Sequence, residues 1–285
     1  MNRREEVLST LRAVPEMPIA VTKLIRLLEE PDVDINDIIK AIELDPGLTS
    51  NVLRLANSAY FGGPRTIGSL RDAIVRLGTN RVFQLVMASA ISPLARPSVK
   101  GYDFPPGELL SHSIATAICT EQLAEVLGLK TPGHAFTAAL LHDLGKIVLG
   151  TFIEVDARPI SALASERNVS FEVAEKEVLG IDHAEVGEML LDSWNLPHEI
   201  TAVARWHHEP GEYDGDRLTV DMVHVANRLA IESGIGTSAA NPHYHAQNTA
   251  DERLGLREEQ ADTAVRSMLA ALEEVRGLFL SEAAR

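Results

Sequence analysis

The residues best equipped for chemistry sit together at His142-Asp143-Leu144-Gly145-Lys146. Ala138-Ala139-Leu140-Leu141 runs directly into an adjacent imidazole and carboxylate. Neighbouring residues on a helix point about 100° apart, so such a pair can serve two adjoining points in one pocket. A neutral imidazole beside a carboxylate is a mixed nitrogen and oxygen donor set, suited to Fe, Mn, Zn or Ni. Gly145 lets a second helix approach closely. Lys146 lies four residues after His142, which places its ammonium over the same helical face, where it would bind a phosphate. A His-Asp dipeptide alone is commonly a surface accident. Here the pair ends an apolar helix, which argues for burial. Glu108 and His112 are likewise four apart and share a face.

Composition narrows the setting for this chemistry. The chain has 285 residues, enough for one large domain or two smaller ones. Aromatic residues make up only 5% while Leu, Ala, Val and Ile abound, which favours helix packing over a β-sandwich. A net charge of −15 argues against broad binding to a phosphate backbone, so no nucleic-acid partner is expected. It leaves room for a nucleotide or phosphate in one local pocket. Cys119 is the only cysteine and reads as a small core residue. No signal-peptide core and no membrane-length apolar run is present. A soluble, cytoplasmic protein is the expectation.

The elements that must position these groups read as helices throughout. Val14-Pro15-Glu16-Met17-Pro18 is an extended lead-in. An apolar face from Ile19 to Leu28 marks a helix that Pro31-Asp32 ends. Ile35 to Ile42 marks a second, and Asp45-Pro46-Gly47 reads as a turn before a third from about Leu48. Ser69-Leu70-Arg71-Asp72 reads as a capping box that opens a fourth. Gly78 closes it, and a fifth reaches about Ile91. Pro93 to Pro106 reads as the connection between two lobes. Beyond it, helices are expected at about 106–127, 132–149, 153–167, 171–179, 182–194, from Pro197 to near His207, and 218–233. Gly234 to Asp251 reads as a mobile loop whose His243 and His245 are solvated. The last helix, about 257–281, carries a heptad-like stripe that docks on the protein's own core, with a homodimer helix as the alternative. The expected organisation is an N-terminal lobe at 1–98, a second lobe at 99–235, a loop at 236–256 and a terminal helix at 257–285.

Residues 14 to about 91 resemble the N-terminal lobe of the HDOD family, the HD-related output domains of bacterial signalling. The resemblance rests on Pro15 and Pro18, Leu44-Asp45-Pro46-Gly47-Leu48-Thr49, Leu53-Arg54-Leu55-Ala56-Asn57-Ser58-Ala59-Tyr60-Phe61, and Ser69 to Gly78. With the second lobe it extends to about Ala230. It implies an all-α HDOD-type fold and a regulatory role, in a family where many members resemble HD phosphohydrolases that have lost metal ligands.

This chain departs from that degenerate pattern. Glu108 and His112, His142-Asp143, His183 and His207-His208 follow an order that resembles the ligand order of the HD-GYP phosphodiesterases. Gly187, one turn after His183, gives space beside that imidazole. In those enzymes a late-helix aspartate completes the set; Asn227 stands there here, a weaker ligand. The Gly-Tyr-Pro signature is absent, which counts against cyclic-di-GMP as substrate. An unmetallated cluster of this kind would be costly to bury. The resemblance therefore implies one or two divalent ions (Fe, Mn, Zn or Ni) held by Glu108, His112, His142, Asp143, His183, His207, His208 and Asn227. His134, His198 and His224 lie outside the pattern.

Two functions are compatible with these residues. One is a signalling regulator that binds a protein partner or nucleotide, with input from a separate protein or ligand. The other is a metal-dependent phosphohydrolase in which metals activate a water for attack on phosphorus. Asp143 would help to hold the metals there, and Lys146 would stabilise phosphate charge.

Overall fold

A computed structural model of the chain is built from helices, and no β-strand forms among the described residues. The structure describes residues 3–11, 14–28, 33–152, 156–236 and 249–280. The helix end expected at Pro31-Asp32 and the loop histidines His243 and His245 lie outside them. The chain divides into two compact units. The larger comprises Met1–Pro15 and Leu94–Leu269, the smaller Glu16–Pro93 and Ala270–Arg285.

In the smaller unit, α2 (Ile19–Leu28), α3 (Ile35–Glu43), α4 (Pro46–Ala56) and α5 (Leu70–Leu77) surround a core that includes Leu24, Ile38, Ile42, Val52, Leu55 and Ile74. Asp45-Pro46-Gly47 is not a free turn but the start of α4. The Asp45 carboxylate accepts from the Leu48 N–H at 2.9 Å, and Pro46 takes the first helical position, where its missing N–H costs nothing. Ser69 caps α5 by accepting from the Asp72 N–H, and Gly78 ends it at φ +81°. The next helix, α6 (Thr79–Ala95), runs on through Pro93.

The larger unit opens with α1 (Arg3–Thr10). After α6 comes a 3-10 turn at Lys100–Tyr102, tied by a single antiparallel bridge between Val99 and Phe104. Its central helix is α7 (Glu108–Leu127), which starts after Gly107 and ends at Gly128. Residues 109–120 are buried on every face, as expected for a helix enclosed by others. Against it pack α8 (Ala135–Leu141) and α14 (Leu218–Glu232); α13 (His198–Trp206) packs on α8 and α14, and α12 (His183–Ser193) on α13. Two shorter helices, α10 (Ala157–Arg167) and α11 (Phe171–Leu179), pair with each other. The continuous helix expected over 132–149 is broken instead. It stops at Leu141, turns through His142-Asp143-Leu144, and resumes as α9 (Gly145–Ile147) and a π-helical turn at Val148–Phe152.

Near the C-terminus, α15 (Thr249–Leu254) leads to α16 (Glu258–Leu280). On α16, Met268, Leu272 and Val275, spaced four and three apart, are buried, joined by Ala264 and Ala271. No helix among the described residues is long and apolar enough to cross a membrane.

Candidate metal centre

The break after α8 sets the site. His142 caps the C-terminal end of α8, and its Nδ1–H donates to the Ala139 carbonyl three residues back, at 2.7 Å. His207 ends α13 in the same manner, donating from Nδ1 to the Ala204 carbonyl at 2.8 Å. His112 on α7 donates from Nδ1 to the Ile235 carbonyl at 3.2 Å. A carbonyl only accepts, so each Nδ1 carries the hydrogen and each Nε2 is left with a lone pair. All three Nε2 atoms point at one carboxylate. His112 and His142 lie 3.3 and 3.4 Å from Asp143 Oδ2, and His207 lies 3.6 Å from Oδ1.

His183 arrives from α12. Asp182 caps this helix, accepting from the Glu185 N–H at 2.7 Å. The His183 Nε2 lies 3.4 Å from Asp143 Oδ1 and 2.8 Å from His208 Nε2. Close contact of α9 and α12 makes this possible: a Cβ at Gly145 would sit 1.9 Å from the His183 carbonyl oxygen. Gly236, at φ +76°, plays a similar part behind His112, where a Cβ would come within 2.3 Å of Nδ1. Glu108 accepts from the Gly236 N–H at 2.8 Å, so it braces this turn and belongs to neither ligand group.

Two donor groups share Asp143: one joins it to His183, His207 and His208, the other to His112 and His142, with donor atoms in each within 4.8 Å. His142, Asp143 and His207 have no exposed surface. His208, with its side chain 8% exposed, is the outermost member and borders a pocket of about 50 Å³ with Glu172, Lys176 and Arg205. Lys146 pairs with Asp143 Oδ2 at 2.7 Å, three residues back, the same oxygen that His142 Nε2 approaches at 3.4 Å. Asn227 is buried on α14, one turn after His224, and neither of its amide atoms has a hydrogen-bond partner.

Electrostatics match this layout. Burial would raise the Asp143 carboxyl, but His142, Lys146 and the His112 contact hold it well below the usual carboxylate range. Burial pushes His112, His207 and His208 down, the last two strongly, which keeps them neutral. His183 differs: burial pulls it down, yet Glu175 and Asp143 outweigh that and hold it at about 10.

The residues fit a transition metal. The Nε2 atoms of His112, His142 and His207 and the Asp143 Oδ1 are buried without any hydrogen-bond partner, a costly state that a shared cation relieves. Each lone pair is aimed by a bond behind the ring, the arrangement by which proteins orient metal-ligating imidazoles. The sequence did not mark Glu175, Tyr102 or His224. Glu175, fully buried, accepts from both the His183 N–H (3.0 Å) and its Nδ1 (2.5 Å), and from the Tyr102 hydroxyl. His224 donates from Nδ1 to the His207 carbonyl at 2.7 Å, steadying that helix end. Glu175 stands in the charged run Glu175-Lys176-Glu177, which reads as solvated surface.

Known proteins share this architecture. A 26% identical, uncharacterised protein of Treponema pallidum (strain Nichols) aligns over 221 residues, 76% of this chain and 42% of that protein. The chain thus spans about two fifths of that curated relative's length. An HDOD domain protein of unknown function from Geobacter sulfurreducens superposes with a TM-score of 0.71 at 26% identity, over 98% of this chain and 93% of that one. A structure named as a candidate phosphohydrolase from Shewanella amazonensis SB2B gives 0.65 at 25%, over 92% and 97%. One named as a candidate signal transduction protein from Marinobacter aquaeolei VT8 shares the fold, at 0.68 and 20%, over 97% and 65%. The family profile of the HDOD domain matches residues 14–210, more than half of the sequence. The chain belongs to the HDOD domain family.

Proposed function

We propose that this HDOD protein is a cytoplasmic signal-transduction regulator whose larger unit binds divalent metal at the His–Asp cluster. In this reading His112, His142, Asp143, His183, His207 and His208 are ligands, with Glu108 at the rim. Asn227 takes the place that an aspartate fills in the HD-GYP phosphodiesterases. The observation that carries the reading is the convergence of buried, partnerless ring nitrogens on Asp143. A bound Fe, Mn, Zn or Ni ion would supply Lewis acidity and a fixed positive charge there.

Enclosure favours regulation over open catalysis. Asp143 is fully covered, and the pocket beside His208 is far smaller than the roughly 300 Å³ or more of a typical ligand site. A metal ion is the input that fits. The output would pass to a signalling protein through the surface of the smaller unit, with a homodimer as one form of that contact.

A metal-dependent phosphohydrolase is the second reading. It is favoured by the Lys146 ammonium beside Asp143, which would stabilise phosphate charge, and by the likeness to the Shewanella amazonensis structure. Metal analysis of protein purified without added metal, followed by a generic phosphodiester assay, separates the two. Bound metal without turnover supports the regulator. Turnover that Asp143→Asn abolishes supports the hydrolase. A protein that takes up no metal under any loading condition removes both.

A further inference from the structure

The two oxygens of Asp143 have unlike surroundings. Oδ2 already receives the Lys146 ammonium at 2.7 Å, and only His112 and His142 accompany it. A divalent ion on that side would have to share the oxygen with a fixed positive charge in a buried setting, where such repulsion is weakly screened. Oδ1 has no hydrogen-bond partner, and His183, His207 and His208 gather on its side.

The groups behind the rings reinforce the difference. His112, His142 and His207 each rest on a neutral carbonyl. His183 instead rests on the buried carboxylate of Glu175, which is itself held by the Tyr102 hydroxyl. Tyr102 belongs to the 3-10 turn at 100–102, and Gly150 of the π-helical turn leaves room for its ring: a Cβ there would lie 2.7 Å from Cδ2. A carboxylate behind an imidazole fixes the ring and makes its free nitrogen a stronger donor. Both asymmetries point to the same side.

We propose that the centre is a one-metal site on the Oδ1 side of Asp143, with Glu175 and Tyr102 as its positioning residues, and that Lys146 fills the Oδ2 side as a built-in cation that keeps a second metal out. The inference rests on the metal-binding reading above and narrows its ligand set: Asp143, His183, His207 and His208 hold the ion, while His112 and His142 face the Oδ2 side that Lys146 occupies. Lys146 then neutralises the half of the carboxylate that a second ion would otherwise neutralise. A two-metal hydrolytic centre is not the resting form of such a site.

Titration of the full chain with Co²⁺ tests this, with visible absorption and equilibrium dialysis as readouts. Wild-type protein should saturate at one equivalent. Lys146→Met should take up a second equivalent at concentrations where wild type holds one, and Lys146→Arg, which keeps the charge, should stay at one. Glu175→Gln should weaken the first equivalent about 10–100-fold and change the cobalt absorption band; Tyr102→Phe should shift both in the same direction by less. Melting followed by circular dichroism establishes that each variant is folded. Two equivalents of equal affinity in wild type overturn the proposal, as does a folded Lys146→Met that still holds one, or a Glu175→Gln that binds as wild type does. Wild type that binds no Co²⁺ overturns the metal-binding reading itself.

Discussion

Gly145 and His183 meet backbone to backbone, so closely that even a methyl group at position 145 would overlap the His183 carbonyl oxygen. The nearest other atom is the Gly187 nitrogen, at 2.8 Å, so the obstruction is main chain and cannot rotate away. Gly145→Ala should therefore force α9 and α12 apart. Overpacking of this kind costs about 1–3 kcal/mol or more, and His183 should be displaced from Asp143. Thermal melting and metal content should fall together; normal metal content in a destabilised Gly145→Ala protein would show that the crossing does not aim His183.

Asp143→Ala should abolish metal uptake. In wild type, free metal at a hundred times Kd should add about 2.7 kcal/mol, a rise of roughly 5–10 °C in Tm for a domain of this size. The variant should melt at one temperature with or without chelator. It should also melt below chelated wild type, because it leaves the Lys146 ammonium buried without its carboxylate, a loss of about 3–5 kcal/mol. Equal chelator sensitivity in both proteins would contradict the assignment of Asp143 as a ligand.

Metal affinity should rise with pH. His183, held at about 10, carries a proton in the metal-free protein at neutral pH, and a ligand must shed it. His207 and His208, pushed well below their ordinary value, have none to release. Binding should thus liberate about one proton, and affinity should increase about tenfold per pH unit from neutrality towards 10. Calorimetry in buffers of different ionisation enthalpy counts the proton directly; a pH-independent constant across that range would exclude it.

Asp45→Ala should cost about 1 kcal/mol, because it removes the cap that the Asp45 carboxylate places on α4. Asp45 belongs to the smaller unit and the ligand set to the larger. A lower denaturation midpoint with unchanged metal stoichiometry is the expected result, and loss of metal would be the contrary one.

The helical architecture was legible because the apolar spacing and the caps are local signals. Ser69, Gly78 and Asp182 each do what their types suggest at a helix end. The six convergent groups from His112 to His208 were legible through their order along the chain, which the family resemblance supplied. What escaped was non-local or depended on exact turns. Glu175 lies on an outwardly charged helix and is drawn inward by His183 and Tyr102, contacts no spacing rule reports. The break at 142–144 hides in a sequence that favours a continuous helix. Glu108 shares a helical face with His112, and the bond from the Gly236 N–H to one of its carboxylate oxygens is another contact that no spacing rule reports.

Two of the ring nitrogens are aimed by one small grammar, used twice. Ala139-Leu140-Leu141-His142 and Ala204-Arg205-Trp206-His207 each end a helix on a histidine bonded to the alanine carbonyl before it, and each is followed at once by a second donor, Asp143 or His208. Four of the donors therefore inherit their direction from where two helices stop. Deleting a single residue ahead of either stop would swing its donor pair by about 100° around the axis, with little change in composition or helix content. Length, more than side-chain identity, is what these two helices must conserve, and descendants of this chain should tolerate substitution there far more readily than insertion or deletion.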